Sequence, residues 1–287
     1  MKVLITGANG FIGQHVTNAF QGNGDDVTGT DLQPNSAKKG IRYFQADVAA
    51  YEEMETLAGE HYDAVVHLAA CLQMNSSTVF HINTMGTYHV LKVAQQVGCE
   101  TFLHLSSIPV IGTPPSDAFI SEDTPARPLT LYHISKYAAE QVVMLPAFEA
   151  IRRYNLRIAS PVGPGMPNSF VKQMLQAAKH GKPLTLYGTG SRIQNYIDAR
   201  DIARALVTVS QSKPPQGLYL LGGESYSNFE AARLCSAIAN TKSEIVFLDR
   251  PDPADTEHWL IDDEKAKTVF GYSPRYTLRQ SLLDSLE

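Results

Sequence analysis

Short apolar runs of strand length recur along the first 160 residues, at Lys2–Ile5, Asp26–Thr30, Arg42–Phe44, Ala64–Leu68, Thr101–Leu105 and Leu156–Ala159. Between them the polar and apolar positions repeat at helical spacing, longest over Val79–Val97 and Leu131–Tyr154. Strands that are apolar throughout, rather than on alternate positions, are covered on both faces. Their alternation with helices predicts an α/β protein with a doubly wound parallel sheet. After Ser160 the pattern breaks. The segment Ser160–Pro167 is dense in glycine and proline, and the elements beyond it are shorter and more mixed. The expected organisation is a nucleotide-binding unit over 1–160, with some later segments returning to it, and a smaller C-terminal α/β lobe over 161–287 that holds substrate.

Composition narrows the class. A net charge of -5 gives no broad attraction to nucleic acid or anionic membranes. No apolar run approaches the roughly 18 residues of a membrane span, and Met1–Ile5 is too short for a signal peptide. Cys71, Cys99 and Cys235 are scattered and odd in number, with no CxxC pair. A reducing, cytoplasmic setting is the expectation. The histidines show no metal-ligand spacing, so no metal is expected.

The first strand runs into Thr6-Gly7-Ala8-Asn9-Gly10-Phe11-Ile12-Gly13, a GxxGxxG loop that opens a helix near Phe11. Strand, glycine turn and helix in this order form the Rossmann-type site for a dinucleotide. The glycines let backbone approach a pyrophosphate, and the helix N-terminus faces it. Gly7, Asn9, Gly10, Phe11, Ile12 and Gly13 are therefore the candidate phosphate cradle. The second strand ends at Asp31, where a carboxylate accepts from the adenosine ribose and repels a 2′-phosphate. This favours NAD over NADP, although Lys38 and Lys39 lie close by. Asp47 and Val48 follow the third strand and are candidates for the adenine edge.

Tyr132-His133-Ile134-Ser135-Lys136 puts a tyrosine and a lysine four apart, on one face of a helix. A nearby ammonium favours phenolate, so Lys136 is expected to lower the Tyr132 pKa. A phenol so tuned can exchange a proton with a substrate hydroxyl or carbonyl while hydride moves to or from nicotinamide. The fifth strand ends in Leu105-Ser106-Ser107, at the carboxyl edge where open α/β sheets bind ligands.

Taken together, TGANGFIG at 6–13, HLAA at 67–70, NTMGT at 83–87, LSS at 105–107, YHISK at 132–136 and GTG…NYIDARDIA at 188–203 resemble the extended short-chain dehydrogenase/reductases. The resemblance is to their NAD-dependent sugar-nucleotide epimerase/dehydratase group and covers nearly the whole chain. It implies a catalytic Ser107–Tyr132–Lys136 triad, with Ser106 facing away or into the core. It adds Leu68, Ala69, Ala70, Lys136, Pro161 and Val162 to the NAD-binding set. Asn83 is implied to be structural. A homodimer is implied, paired through the two long helices. Substrate contacts fall to Ser107, Tyr132, Gln194 and Arg250, with Arg192 as a stand-in for the phosphate-binding arginine that related enzymes often carry at position 194.

The chain also departs from the pattern. Ile108 and Pro109 occupy the places where related 4,6-dehydratases carry an Asp-Glu pair, which disfavours elimination. The loop Cys71–Ser77 is short, implying a more open sugar site. The leading expectation is a C4 epimerase of a nucleotide-linked hexose. A nucleotide-4-ketosugar reductase or a sugar or alcohol dehydrogenase is the alternative, and a non-catalytic NAD(H)-sensing protein a second one.

Overall fold

The computed structural model describes residues 1–115 and 118–286. The chain opens with strand β1 (Lys2–Thr6), helix α1 (Phe11–Gly22), β2 (Asp26–Asp31), β3 (Arg42–Gln45), the short α2 (Tyr51–Glu55) and β4 (Ala64–His67). A π-helical segment, Phe80–Met85, leads into α3 (Gly86–Gln96), followed by β5 (Thr101–Ser107), a 3-10 turn at Ile108–Ile111 and α4 (Leu131–Val143). The second half contains β6 (Arg152–Ile158), β7 (Ser160–Val162), α5 (Phe170–Lys179), β8 (Leu184–Leu186), β9 (Ile193–Asp198) and α6 (Ala199–Ser212). It closes with β10 (Gly217–Leu221), β11 (Glu224–Ser227), α7 (Asn228–Ile238), β12 (Ile245–Phe247), α8 (Glu264–Phe270) and α9 (Leu278–Leu283).

Seven strands form one sheet in the order β10-β6-β5-β4-β1-β2-β3, and every pairing in it is parallel. The order reverses between β1 and β4, so the carboxyl ends of these two strands flank a crevice. Open α/β sheets bind nucleotides at such a crevice. The Rossmann-type α/β reading therefore holds. One face of the sheet is filled by Val3, Ile5, Val66 and Leu103 with Phe20 of α1 and Leu206 of α6. The other is filled by Leu4, Val65 and Phe102 with Leu91 of α3 and Val143 of α4. A third core, around Met174, Tyr196, Ala232 and Leu282, lies under α5, α7 and α9. Two smaller sheets, β11-β9-β7 and β12-β8, accompany it. The large sheet takes β10 from beyond residue 160, and α6 packs on α1, so the chain crosses back after β9.

The long helix expected over Leu131–Tyr154 is corrected. It stops at Val143, a 3-10 turn spans Pro146–Phe148, and β6 starts at Arg152. Pro146 lacks the amide hydrogen that a continuing helix needs, while Arg152–Ile158 pairs along its whole length with β5. The helix expected over Val79–Val97 is present in two parts, with a π turn in its first third. Thr87 Oγ1 donates to the Asn83 carbonyl (2.5 Å) in that turn. Among the described residues no helix is long and apolar enough to cross a membrane.

Candidate active site

The glycine loop lies at the carboxyl end of β1, and its geometry fits a dinucleotide. Gly7 has φ of 71°, and a Cβ there would stand 2.7 Å from the Ala69 amide nitrogen. A Cβ on Gly13 would come within 2.0 Å of the Gly7 carbonyl oxygen. Only glycine permits this close passage of loop, helix and β4 edge. Gly10 caps α1 with no side-chain hydrogen bond, so the first-turn amides of Phe11, Ile12 and Gly13 are left for an anion. Asp31 ends β2 with its carboxylate held by the amides of Asn9 (2.9 Å) and Leu32 (2.8 Å).

Asn9 does more than line the loop. Its amide group donates to the Asn35 carbonyl (3.0 Å) and Tyr43 hydroxyl (3.1 Å), and its Oδ1 accepts from the Ala37 amide (2.7 Å). The segment after β2 is thereby folded against the glycine loop. Asp47 makes a local turn by accepting from the Ala49 amide (2.9 Å). Val48 is buried, and its carbonyl bonds His89 of α3 (3.0 Å). Leu68 and Ala69 sit against the glycine loop, both amides reaching Thr6 Oγ1 (3.3 Å). Ala70, half-buried, continues this edge. Val162 shares a core with Phe11, and Pro161 precedes it on β7. His15 of α1 bonds the Pro164 carbonyl (2.9 Å), which ties this segment to the loop helix.

Ser107 is the last residue of β5 and half-buried. Its neighbour Ser106 faces the core and donates to Glu140 Oε1 (2.5 Å). Thr130 caps α4 by accepting from the His133 amide (3.1 Å), so the helix begins just before Tyr132 and puts Lys136 one turn further. Asn83 clamps the front of this helix. It accepts from the Cys71 amide (2.7 Å), donates to the Cys71 carbonyl (3.0 Å) and donates to Ser135 Oγ (2.9 Å). The Tyr132 amide itself donates to the Met74 carbonyl (3.1 Å), so the short loop after β4 and α4 are stitched together.

The electrostatics differ from expectation. Tyr132 is pushed up to about 12, by burial first and by Cys71 second, rather than lowered by Lys136. The reason is geometric. The Lys136 ammonium points into the sheet, where Nζ meets His104 Nε2 at 2.9 Å. Burial brings Lys136 down to about 8, partly offset by Glu140. Tyr132 in this arrangement is a protonated phenol, ready to donate. His133 turns aside, its ring edge-on to Tyr132 and bonded to Thr130 Oγ1 (3.0 Å).

Beneath the triad lies a buried polar layer that the apolar reading of the strands did not anticipate. Thr6, His67, His104 and Asn155 stand side by side across β1, β4, β5 and β6 in ladder register. Ser106 and Arg157 form the next row. Arg157 makes a two-pronged bond to Glu140 of α4 (2.9 and 2.8 Å), with both side chains almost wholly buried. The signal was present in β6, where Arg153, Asn155 and Arg157 alternate with Tyr154, Leu156 and Ile158.

The substrate-side candidates are not brought together as a free phosphate site. Arg192 precedes β9 and is paired with Glu257 (3.2 Å), which also accepts from Trp259. Gln194 donates to Asn228 (2.8 Å). Arg250 is exposed and stacked on Tyr187, its guanidinium 5.1 Å from the ring centre. Among the described residues, no group of three or more His, Cys, Asp or Glu side chains is placed to hold a metal ion.

A nucleotide crevice beside a Ser–Tyr–Lys edge agrees with what comparison with known families finds, a match over residues 3–222 to the NAD-dependent epimerase/dehydratase model. The chain belongs to that family. NAD is accordingly its cofactor, and the chain is an enzyme of the extended short-chain dehydrogenase/reductase type. Among relatives, UDP-glucuronic acid decarboxylase 1 of Xenopus tropicalis is 27% identical over 98% of this chain and 70% of its own length. UDP-glucose 4-epimerase of Bacillus subtilis is 25% identical over 99% of this chain and 96% of its own. Against several longer plant relatives this chain spans just under half their length. A solved structure of Thermotoga maritima UDP-glucose 4-epimerase with UDP-glucose superposes with a TM-score of 0.89. At 22% identity it covers 100% of this chain and 97% of the other, which shows the shared fold.

Proposed function

We propose that this chain is an NAD-dependent epimerase that inverts C4 of a nucleotide-linked hexose by transient oxidation. The observation that carries the reading is the edge itself. Ser107, Tyr132 and Lys136 supply proton-transfer groups, while Ile108 and Pro109 give no carboxylate for elimination. The relatives whose names specify UDP-sugar chemistry support the substrate class.

In this reading Gly7, Gly10 and Gly13 cradle the pyrophosphate, and Asp31 accepts from the adenosine ribose. Bound NAD supplies a reversible hydride acceptor. Ser107 Oγ donates to the sugar C4 oxygen and orients it. Tyr132 exchanges the proton of that oxygen, as acceptor when the hydroxyl becomes a carbonyl and as donor on return. A buried phenol that holds its proton to about 12 is suited to the return step. Its acceptor role requires positive charge brought close to the phenol; Lys136, one turn further along α4, is the candidate, and at rest its amine is bonded to His104 instead. The 4-keto sugar presents its other face before the proton and hydride return.

Incubation with a panel of UDP- and dTDP-hexoses, read by proton NMR, is expected to yield a C4-inverted pair from at least one. No inversion across the panel overturns the reading. A second reading, net reduction or oxidation of a 4-ketosugar or alcohol, draws on Arg192 and Gln194, whose polar groups are occupied by Glu257 and Asn228. Stoichiometric NADH accumulation with a sugar or alcohol would favour it.

A further inference from the structure

The lysine of the triad is held by a histidine that the reaction scheme does not use. Lys136 is wholly buried, and His104 Nε2 lies 2.9 Å from its Nζ. The partners of His104 fix its state. The Asn155 amide group is oriented by donating from Nδ2 to the Glu140 carbonyl (3.2 Å), so its Oδ1 faces His104 Nδ1 at 2.8 Å. An oxygen there accepts, so Nδ1 carries the hydrogen and Nε2 presents a lone pair. The lone pair can only accept, and Lys136 is its donor.

The neighbouring histidine is neutral for the same kind of reason. Thr87 Oγ1 donates to the Asn83 carbonyl, so it accepts from His67 Nε2 (2.9 Å), and His67 Nδ1 accepts from Thr6 Oγ1 (2.7 Å). The His67 ring stacks on that of His104, with centroids 5.8 Å apart. Two neutral rings beside a buried ammonium avoid like-charge repulsion.

We propose that His104 is a positioning residue for catalysis, a neutral imidazole that accepts one N–H of the Lys136 ammonium and thereby fixes the charge and direction of its other two. The chain of control runs from β6 through Asn155 to His104 on β5 and then to Lys136 on α4. The proposal deepens the epimerase reading, since it concerns the same triad, but it does not depend on which sugar is bound.

Among the described residues, the ionisable groups around this amine lie on α4, β4, β5, β6 and the loop after β4. On α4, Glu140 attracts it, although that carboxylate is bonded to Arg157 and Ser106, and Tyr132 lies one turn away. His104 and His67 face it from β5 and β4, Arg157 lies beyond Glu140 on β6, and Cys71 faces Tyr132 from the loop after β4. Burial and the Lys136 charge hold both histidines far below their ordinary range. They therefore remain acceptors across the working pH range. Losing the lone pair leaves the ammonium with less to offset its desolvation, so its proton is released at lower pH.

The test is an NMR titration of the NAD-loaded protein labelled at lysine side-chain nitrogen, with the Lys136 signal assigned by its loss in Lys136→Met. The wild type is expected to titrate near 8, where burial places this lysine. His104→Phe, which keeps a ring but no acceptor, is expected to titrate lower by about one unit or more. His104→Gln, whose side-chain oxygen can replace Nε2, should return toward wild type. The alkaline limb of the kcat profile should move in the same order. If His104→Phe does not fold, His104→Asn, whose shorter amide cannot reach Lys136, carries the comparison with Gln. A Lys136 titration unchanged in the acceptor-free variant overturns the proposal, as does a Gln variant that shifts as far as Phe or Asn. The titration needs no sugar, so its failure and the failure of the epimerase reading are separate outcomes.

Discussion

Tyr132 is the residue on which the proposed chemistry turns, and its surroundings set how it can act. A phenol buried under the Cys71 loop keeps its proton to about 12. It is a competent acid, and it becomes a base only when positive charge stands beside it. Tyr132→Phe removes one oxygen and leaves the helix, the cap and the ring contact with His133. Turnover should fall by about 10²–10⁴, while NAD binding and the thermal transition stay close to wild type. A variant that keeps more than a tenth of wild-type kcat would remove Tyr132 from the proton path.

The places of Ser107 and Lys136 in the fold were legible with it because a strand end and a short-range helical spacing carry them. His104 was not. It sits in a run, Thr101–Leu105, whose apolar character announces a buried strand and says nothing of polar partners on the next helix (Lys136) and the next strand (Asn155). Arg192 illustrates the same point. Its guanidinium pairs with Glu257, far off in sequence, a contact that no local pattern announces.

At the scale of elements, α4 is fixed against the sheet by polar bonds at its front and back. Asn83 ties Ser135 to the Cys71 loop, and Glu140 binds Arg157 of β6. The two charges are almost wholly buried, so removing one leaves the other without compensation. Glu140→Gln should lower stability by about 3–5 kcal/mol, measured by urea unfolding at neutral pH. A loss below about 1 kcal/mol would mean that the pair does not anchor the helix. Of the strands of the large sheet, β1, β4 and β5 were legible from hydropathy as runs buried on both faces, whereas β6 alternates polar and apolar residues and starts at Arg152. The end of α4 was not legible, because helical periodicity continues past Val143 until Pro146 and the β5 partner of Arg152–Ile158 decide otherwise.

For the whole molecule, the buried histidine layer links pH to stability. His67 is brought down to about 3, chiefly by burial and also by Lys136, and His104 falls well below its ordinary range for the same reasons. Both are neutral in the fold, and both take up protons on unfolding once the pH is below about 6.5. The unfolded chain then binds more protons, so stability is full above 6.5 and is lost as pH falls. Two such groups give up to about 2.7 kcal/mol per pH unit between roughly 6 and 5. His61, at the surface and raised by the Val97 carbonyl and Asp63, works in the opposite sense. Replacing His67 with Gln should flatten the slope of unfolding free energy against pH in this window. An unchanged slope would show that the histidine layer admits protons in the folded state.

The crossing of the chain after β9 was legible only in outline. That β10 joins the large sheet while β9 and β11 build a smaller one depends on pairings tens of residues apart. Ser107, the glycine loop and Asp31 sit at the carboxyl ends of β5, β1 and β2, on the edge where a doubly wound sheet binds its ligands.

The central claim is that C4 is oxidised and reduced within one site, with Tyr132 moving only the proton. A nucleotide hexose deuterated at C4, incubated in ordinary water with the NAD-loaded enzyme, tests it most directly. The account predicts a C4-inverted product that keeps its deuterium at C4, with no net NADH. An inverted product that has exchanged that deuterium for solvent hydrogen, or no inverted product at all, would contradict it.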